Sequence, residues 1–241
     1  MSPKTKNILF VLFYSFAISI FQFIIGLIEG LLLPKGLSET NEAFIDFVIE
    51  LIMDILIVVI TLKILKKRKT LNLWSLIKMD EITFKYTAIS VLFAIIIFLI
   101  NYCINHFIDF PSIQIFDDIY AEIHTKTTNS ISIIIMFVSY SIIAPITEEI
   151  ITRGFIYSTL RDNNSFIGSM LITFIIFSLF HLDPRMFVLI FVGNILLCYI
   201  YEKKRNLFYP IVVHGLFNLL SLFHYIVLLQ MKMEFPKFRI V

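Results

Sequence analysis

Residues 131–160 read ISIIIMFVSYSIIAPITEEIITRGFIYSTL, an apolar run that can cross a bilayer as one helix, yet it holds two adjacent glutamates and an arginine. At 1.5 Å per residue such a helix reaches about 45 Å, more than the roughly 30 Å of a hydrocarbon core. Glu148 and Glu149 precede Arg153 by one helical turn. An ionised carboxylate at this depth costs at least about 2.5 to 3.5 kcal/mol on insertion scales, so charges there face a bundle interior and mark function.

The rest of the chain has the same character. Of its 241 residues 59% are hydrophobic and 26 are Phe, and the mean hydropathy is +0.90. No soluble domain folds around that composition, which identifies an integral, multi-pass membrane protein. Apolar runs near 8–33, 43–65, 84–106, 131–160, 166–182, 186–201 and 207–230 predict an all-α, polytopic transmembrane bundle of about seven to eight helices. The first run follows Lys4 and Lys6 as a signal peptide would. It is too long and lacks a small-x-small cleavage site, so it is expected to stay attached.

The net charge of +2 is small and the basic residues gather at loops and ends, so no nucleic-acid partner is implied. Lys66 to Lys69 and Lys203 to Arg205 predict a cytoplasmic face at the ends of the second and sixth runs. The acidic stretch 107–130 suits the opposite face. With seven spans the tail, carrying Lys232, Lys237 and Arg239, lies outside against this rule unless a half-helix intervenes. Cys103 and Cys198 sit within apolar runs without a Cys-x-x-Cys partner and read as core residues.

Three polar pairs at helical spacing fall on the last four runs. Glu149 and Arg153, four apart, share a face and can neutralise each other, while Glu148 is turned about 100° away and left free. Pro145 upstream fits a kinked or freshly started helix that opens a cavity. Phe177 and His181 form the second pair, and His214 and Asn218 the third, with Gly215 allowing another helix close approach. Counted from the turn near 163, Glu148 lies about 15 residues before it and His181 about 18 after, similar depths at which both could meet one water. His214 and Asn218 are shallower, about 10 and 14 residues from the turn near 204, so tilt or a half-helix must bring them level.

These groups suit attack of an activated water on a carbonyl. A carboxylate and an imidazole can take its proton, and His and Asn donors can hold the developing oxyanion. No Ser or Cys nucleophile with a base stands out, and His-Glu-x-x-His is absent. No cofactor is favoured. Zinc is the alternative, for which Glu148, His181 and His214 would supply the ligands.

In order and spacing these motifs resemble the CPBP family, the CAAX-processing and bacteriocin-processing intramembrane proteases also called Abi proteins. The match is Glu-Glu-x-x-x-Arg at 148–153, Phe-x-x-x-His at 177–181 and His-x-x-x-Asn at 214–218. The resemblance implies 1–130 as N-terminal transmembrane helices, 131–230 as the protease core and 231–241 as a short polar tail. It implies a membrane peptidase in which Glu148 is general base with His181, His214 with Asn218 stabilises the oxyanion, and Glu149, Arg153 and Phe177 give support. Its members are described both as glutamate proteases and as metalloproteases. Thr152 stands where the family often has an aromatic before the Arg, which bears on packing there. The implied substrate is a membrane-associated peptide or protein in a bacterial cell membrane, with processing of a bacteriocin or leader peptide, or self-immunity, favoured over CAAX processing. The oligomeric state is left open.

Two rival readings stand beside this one. Asp46, Glu50 and Asp54 recur at i, i+4 and i+8 along the second run, as a cation-coupled transporter would need. A catalytically inactive, peptide-binding immunity protein is the other.

Overall fold

The computed structural model describes residues 1–32, 39–69, 73–107, 130–181 and 186–234. It is all-α, with no strand among the described residues. Among the described residues seven long helical rods follow the apolar runs. They are α1 (Pro3–Leu32), α2 (Glu39–Lys69), α3 (Phe84–Phe107), α4 (residues 130–161), α5 (Phe166–His181), α6 (Phe187–Lys204) and α7 (Phe208–Glu234). The acidic stretch 108–129 and the tail residues 235–241, with Lys237 and Arg239, lie outside the described residues.

Four of these helices are long and apolar enough to cross a membrane, within α1, α3, α4 and α7. The charges of α2 and of the end of α6, and the 16 residues of α5, about 24 Å at the α-helical rise, set those three apart. The many outward Phe, Ile and Leu side chains of the bundle, such as Phe13, Phe16 and Ile175, suit contact with lipid.

One end of the bundle is tied by polar contacts that fix the up-and-down order. Asn7 at the start of α1 donates to the Thr159 carbonyl and accepts from Arg68 at the end of α2. Lys69 pairs with Asp162 at 2.8 Å. Leu207 donates to the Leu76 carbonyl, and Tyr209 accepts from the Thr83 amide. The basic clusters of α1, α2 and α6 therefore share an end with the α4–α5 turn. The 27 residues of α7 start at that end and run to the other.

In lipid the hydrophobic effect does not drive helices together, so close packing and internal polar contacts must. The core shows both. Phe155 of α4 is fully buried, with the Tyr14 ring edge-on at 4.4 Å. Tyr14 in turn hydrogen-bonds Thr61 of α2.

The fourth rod is not a regular helix. Between α-helical stretches it widens to π winding at Ser139–Ile143 and again at Ile150–Tyr157. The short α-helical piece Ala144–Glu149 between them begins with Pro145 in its first turn and ends on the two glutamates. Such π segments inside α-helices collect at functional sites.

Candidate active site

Glu149 and Arg153 form the i, i+4 ion pair at 2.7 Å, and neither side chain is exposed at all. Arg153 uses both terminal nitrogens locally, while its Nε is buried without a partner among the described residues. Nη1 also reaches the Thr152 hydroxyl at 3.0 Å, and Nη2 donates to Asn194 Oδ1 of α6 at 3.1 Å. Asn194 passes the chain on, donating to the Met170 carbonyl of α5 at 3.0 Å. One guanidinium thus joins α4, α5 and α6 through a buried amide that carries no charge. Phe177 lies against the cation, its ring centre 5.8 Å from the guanidinium carbon.

His214 of α7 completes the cluster. Its Nδ1 stands 3.0 Å from Glu149 Oε1, and its Nε2 stands 3.8 Å from Glu148 Oε2. A carboxylate held by Arg153 can only accept, so Nδ1 carries the hydrogen, and Nε2 is turned towards Glu148. Glu148 itself is one-third exposed, yet its Oε2 atom is buried without a hydrogen-bond partner among the described residues. The two glutamates therefore differ as their angular separation on the helix requires. Oε2 of each is buried without a hydrogen-bond partner among the described residues, but Glu149 is neutralised by Arg153 through Oε1 and Glu148 has no arginine against it.

The other motif residues are placed differently. His181 ends α5 with Nδ1 3.0 Å from the Phe177 carbonyl and its ring 4.5 Å from the Phe177 ring. No hydrogen bond or ion pair joins it to Glu148 among the described residues. The imidazole brought to Glu148 is that of His214. Asn218 donates to the Tyr140 carbonyl of α4 at 2.7 Å. Among the described residues no three His, Cys, Asp or Glu side chains are grouped closely enough to hold a metal ion.

Two contributions come from outside the motifs. Asn194 had a signal in the sequence, an amide within an apolar run, but nothing in its spacing tied it to Arg153. The acids of α2 reach the site as well: Glu50 bonds the Ser139 hydroxyl, Asp54 bonds the Thr147 hydroxyl, and both are near enough to Glu148 for their charges to act on it. Of the remaining histidines, His224 packs its ring against Phe98 and Tyr102, away from the cluster.

Fold and site together define a helical integral membrane protein with a buried, charge-compensated carboxylate and imidazole centre. Residues 130–220 match the family described as type II CAAX prenyl endopeptidase Rce1-like. A Lactococcus lactis subsp. cremoris protein named "UPF0177 protein in abiGi 5'region" is 29% identical over 62% of this chain and 60% of its own length. A Bacillus subtilis (strain 168) protein named "Putative membrane peptidase YdiL" is 30% identical over 35% of this chain and 34% of its own. The chain thus spans less than two thirds of either relative. No solved structure matches it significantly.

Proposed function

We propose that this chain is an intramembrane endopeptidase, hydrolysing a peptide bond of a membrane-associated peptide or protein with a water activated by Glu148. The observation that carries the reading is the Glu148 Oε2, buried without a hydrogen-bond partner and facing Nε2 of a histidine whose other nitrogen is fixed on Glu149. At 3.8 Å the two atoms are too far apart for a direct hydrogen bond and suit a water held between them.

In this mechanism the water oxygen attacks the peptide carbonyl carbon while its proton passes to Glu148. The carbonyl π electrons move to oxygen. His214, protonated at both nitrogens with its Nδ1–H held by Glu149, donates its Nε2–H to that oxyanion and keeps the proton throughout. Collapse of the intermediate breaks the C–N bond, and Glu148 returns its proton to the leaving amine. His181, with Nδ1 turned to the Phe177 carbonyl, keeps Nε2 for the substrate. The chemistry is supplied by protein groups, and no step passes through a metal.

The bacterial relatives, one of them named a putative membrane peptidase, support a bacterial cell membrane as the setting, and the role this reading takes there is bacteriocin or leader-peptide processing or self-immunity. The α2 acids fit this reading better than transport, because their bonds to Ser139 and Thr147 fasten α2 against the segment that bears Glu148.

The test is cleavage of a peptide library by purified protein in detergent, comparing wild type with Glu148→Gln, each with and without a chelator. Cleavage should fall by about 10²- to 10⁴-fold in the variant, the usual worth of a general base, and should survive chelation. Full turnover by Glu148→Gln would sink the assignment, and chelator-sensitive cleavage would replace this mechanism with a metal-dependent one.

A further inference from the structure

Burial along α4 divides the bundle at Glu149. Every residue from Glu149 to Leu160 is buried, so between the ion pair and the end that carries the basic clusters the rod is wrapped by protein on all sides. Parts of α1, α2, α5 and α6 pack around that stretch. Leu76 and Leu207, themselves buried, close on Gly154, where an added Cβ would stand 3.3 Å from Leu207 Cδ1 and 3.7 Å from Leu76 Cδ1. Nearer the end, Tyr157 and Arg161 both donate to the Glu202 carboxylate, at 2.7 and 2.8 Å. This half of α4 offers a peptide no open face.

Polar groups that keep some exposure lie on the other side of Glu149. Glu148 is one-third exposed, and Glu50 of α2, which bonds Ser139, is exposed. Asp54, which bonds Thr147, is partly buried, as is His181 at the far end of α5. At the α-helical rise Asp54 stands about 18 Å and Glu50 about 24 Å from Lys66, in a hydrocarbon core of roughly 30 Å. Glu50 is therefore well past the middle of the membrane. An exposed carboxylate at that depth is tolerated where it lines a water-filled cavity, and is costly against lipid. Lys4, Lys6, Lys66 to Lys69 and Lys203 to Arg205 gather at the sealed end and mark it as cytoplasmic.

We propose that the Glu148 cluster is reached from the non-cytoplasmic side of the membrane, by a water-filled passage along α2 past Glu50 and Asp54, and that its substrate is a peptide whose scissile bond is presented from that side. The substrate half of this rests on the peptidase reading, and the passage itself does not. It narrows the substrates open to that reading. A peptide or leader exposed outside the cell can arrive this way, and a bond held at the cytoplasmic surface cannot.

The passage is tested by thiol labelling of the full chain in cells. Cys103 is exposed and Cys198 buried, so Cys103→Ser gives a background in which single introduced cysteines report. Glu50→Cys and His181→Cys probe the passage from two helices, and Lys66→Cys marks the sealed end. A membrane-impermeant maleimide added to intact cells should label Glu50→Cys and His181→Cys, and should leave Lys66→Cys unlabelled until the cells are permeabilised. Labelling of Glu50→Cys and His181→Cys only after permeabilisation, or not at all, would overturn the passage. Labelling of Lys66→Cys in intact cells would overturn it as well, because the sealed end would then face outwards. Where one passage variant does not fold, the other decides. The substrate half is read with a membrane-impermeant fluorogenic peptide taken from the library. Intact cells carrying the wild type should cleave it, and those carrying Glu148→Gln should lose that cleavage. Cleavage confined to inverted membrane vesicles would overturn entry from outside. If no peptide is cleaved in any preparation, labelling still decides the passage and only the peptidase reading fails.

Discussion

The α4 rod carries both members of one Glu–Arg pair and the arginine of a second, and the two pairs behave oppositely. Glu149 and Arg153 lie in the middle of the bundle with neither side chain exposed. Two turns on, Arg161 meets Glu202 of α6 at 2.8 Å with about a quarter of each side chain exposed, and Arg205 joins the same carboxylate at 2.8 Å. Coulomb attraction is similar at equal distance, but the surroundings differ. At the polar end water can replace any lost partner, so the pair tidies the α4–α5 turn and fixes α6 against it. In the centre nothing can replace a lost partner. A buried pair of this kind adds little net stability over an apolar one, and its presence calls for another reason. That reason is His214, which takes its orientation from Glu149.

The comparison can be broken most forcefully at the centre. Glu149→Gln leaves Arg153 buried without a counter-charge and should destabilise the protein by about 3 to 5 kcal/mol, read as loss of folded yield and of thermal midpoint in detergent. The double substitution Glu149→Met with Arg153→Met sharpens the point. It should recover most of that stability while cleavage stays lost, because His214 no longer has a carboxylate to hold its Nδ1–H. Recovered cleavage would show that the pair serves the fold alone. Asn194→Ala removes a neutral partner of the same cation and should cost about 1.5 to 3 kcal/mol, the range for hydrogen bonds to charged groups.

The smallest effects belong to the polar end. Arg161→Ala should cost only about 0.2 to 1 kcal/mol, and less in high salt. Partial burial works to raise the Glu202 carboxyl, but the hydrogen bonds from Arg161 and Tyr157 and the charge of Arg205 prevail and hold it below the ordinary glutamate value. The sign follows from that: this stabilisation is fully present above the unfolded-state glutamate value and is lost as pH falls through the lower, folded one. Acid titration of the thermal midpoint should therefore lose part of its slope in Glu202→Gln.

Much of this architecture is written in local patterns, and what is not has a physical cause. Run length alone set out the seven rods, and helical spacing alone set out the Glu149–Arg153 pair and the separate direction of Glu148. Depth counting along the α4–α5 hairpin led to Glu148 and His181 as neighbours, whereas the structure brings His214 to Glu148. That count assumes a uniform rise and twist, and two π segments on α4 change both. Their register depends on contacts from α7, which no spacing within residues 131–160 reveals. Asn194 was similarly invisible, since an amide declares no partner until helices are packed. The α2 acids were legible as a stripe, but not which helix the stripe would face.

The hydroxyls of Ser139 and Thr147 bracket the Pro145 break, and both are bonded by acids from α2, a helix that precedes the matched stretch 130–220. The unit of exchange between relatives is therefore larger than the stretch that makes them recognisable. A chimera that moved residues 130–220 alone into another scaffold would carry its glutamates, histidines and asparagine intact and arrive with two hydroxyls facing the wrong neighbour. Substitutions at Glu50 and Asp54 should thus be compensated at Ser139 and Thr147, and the first half of the chain is bound to the second by that correspondence.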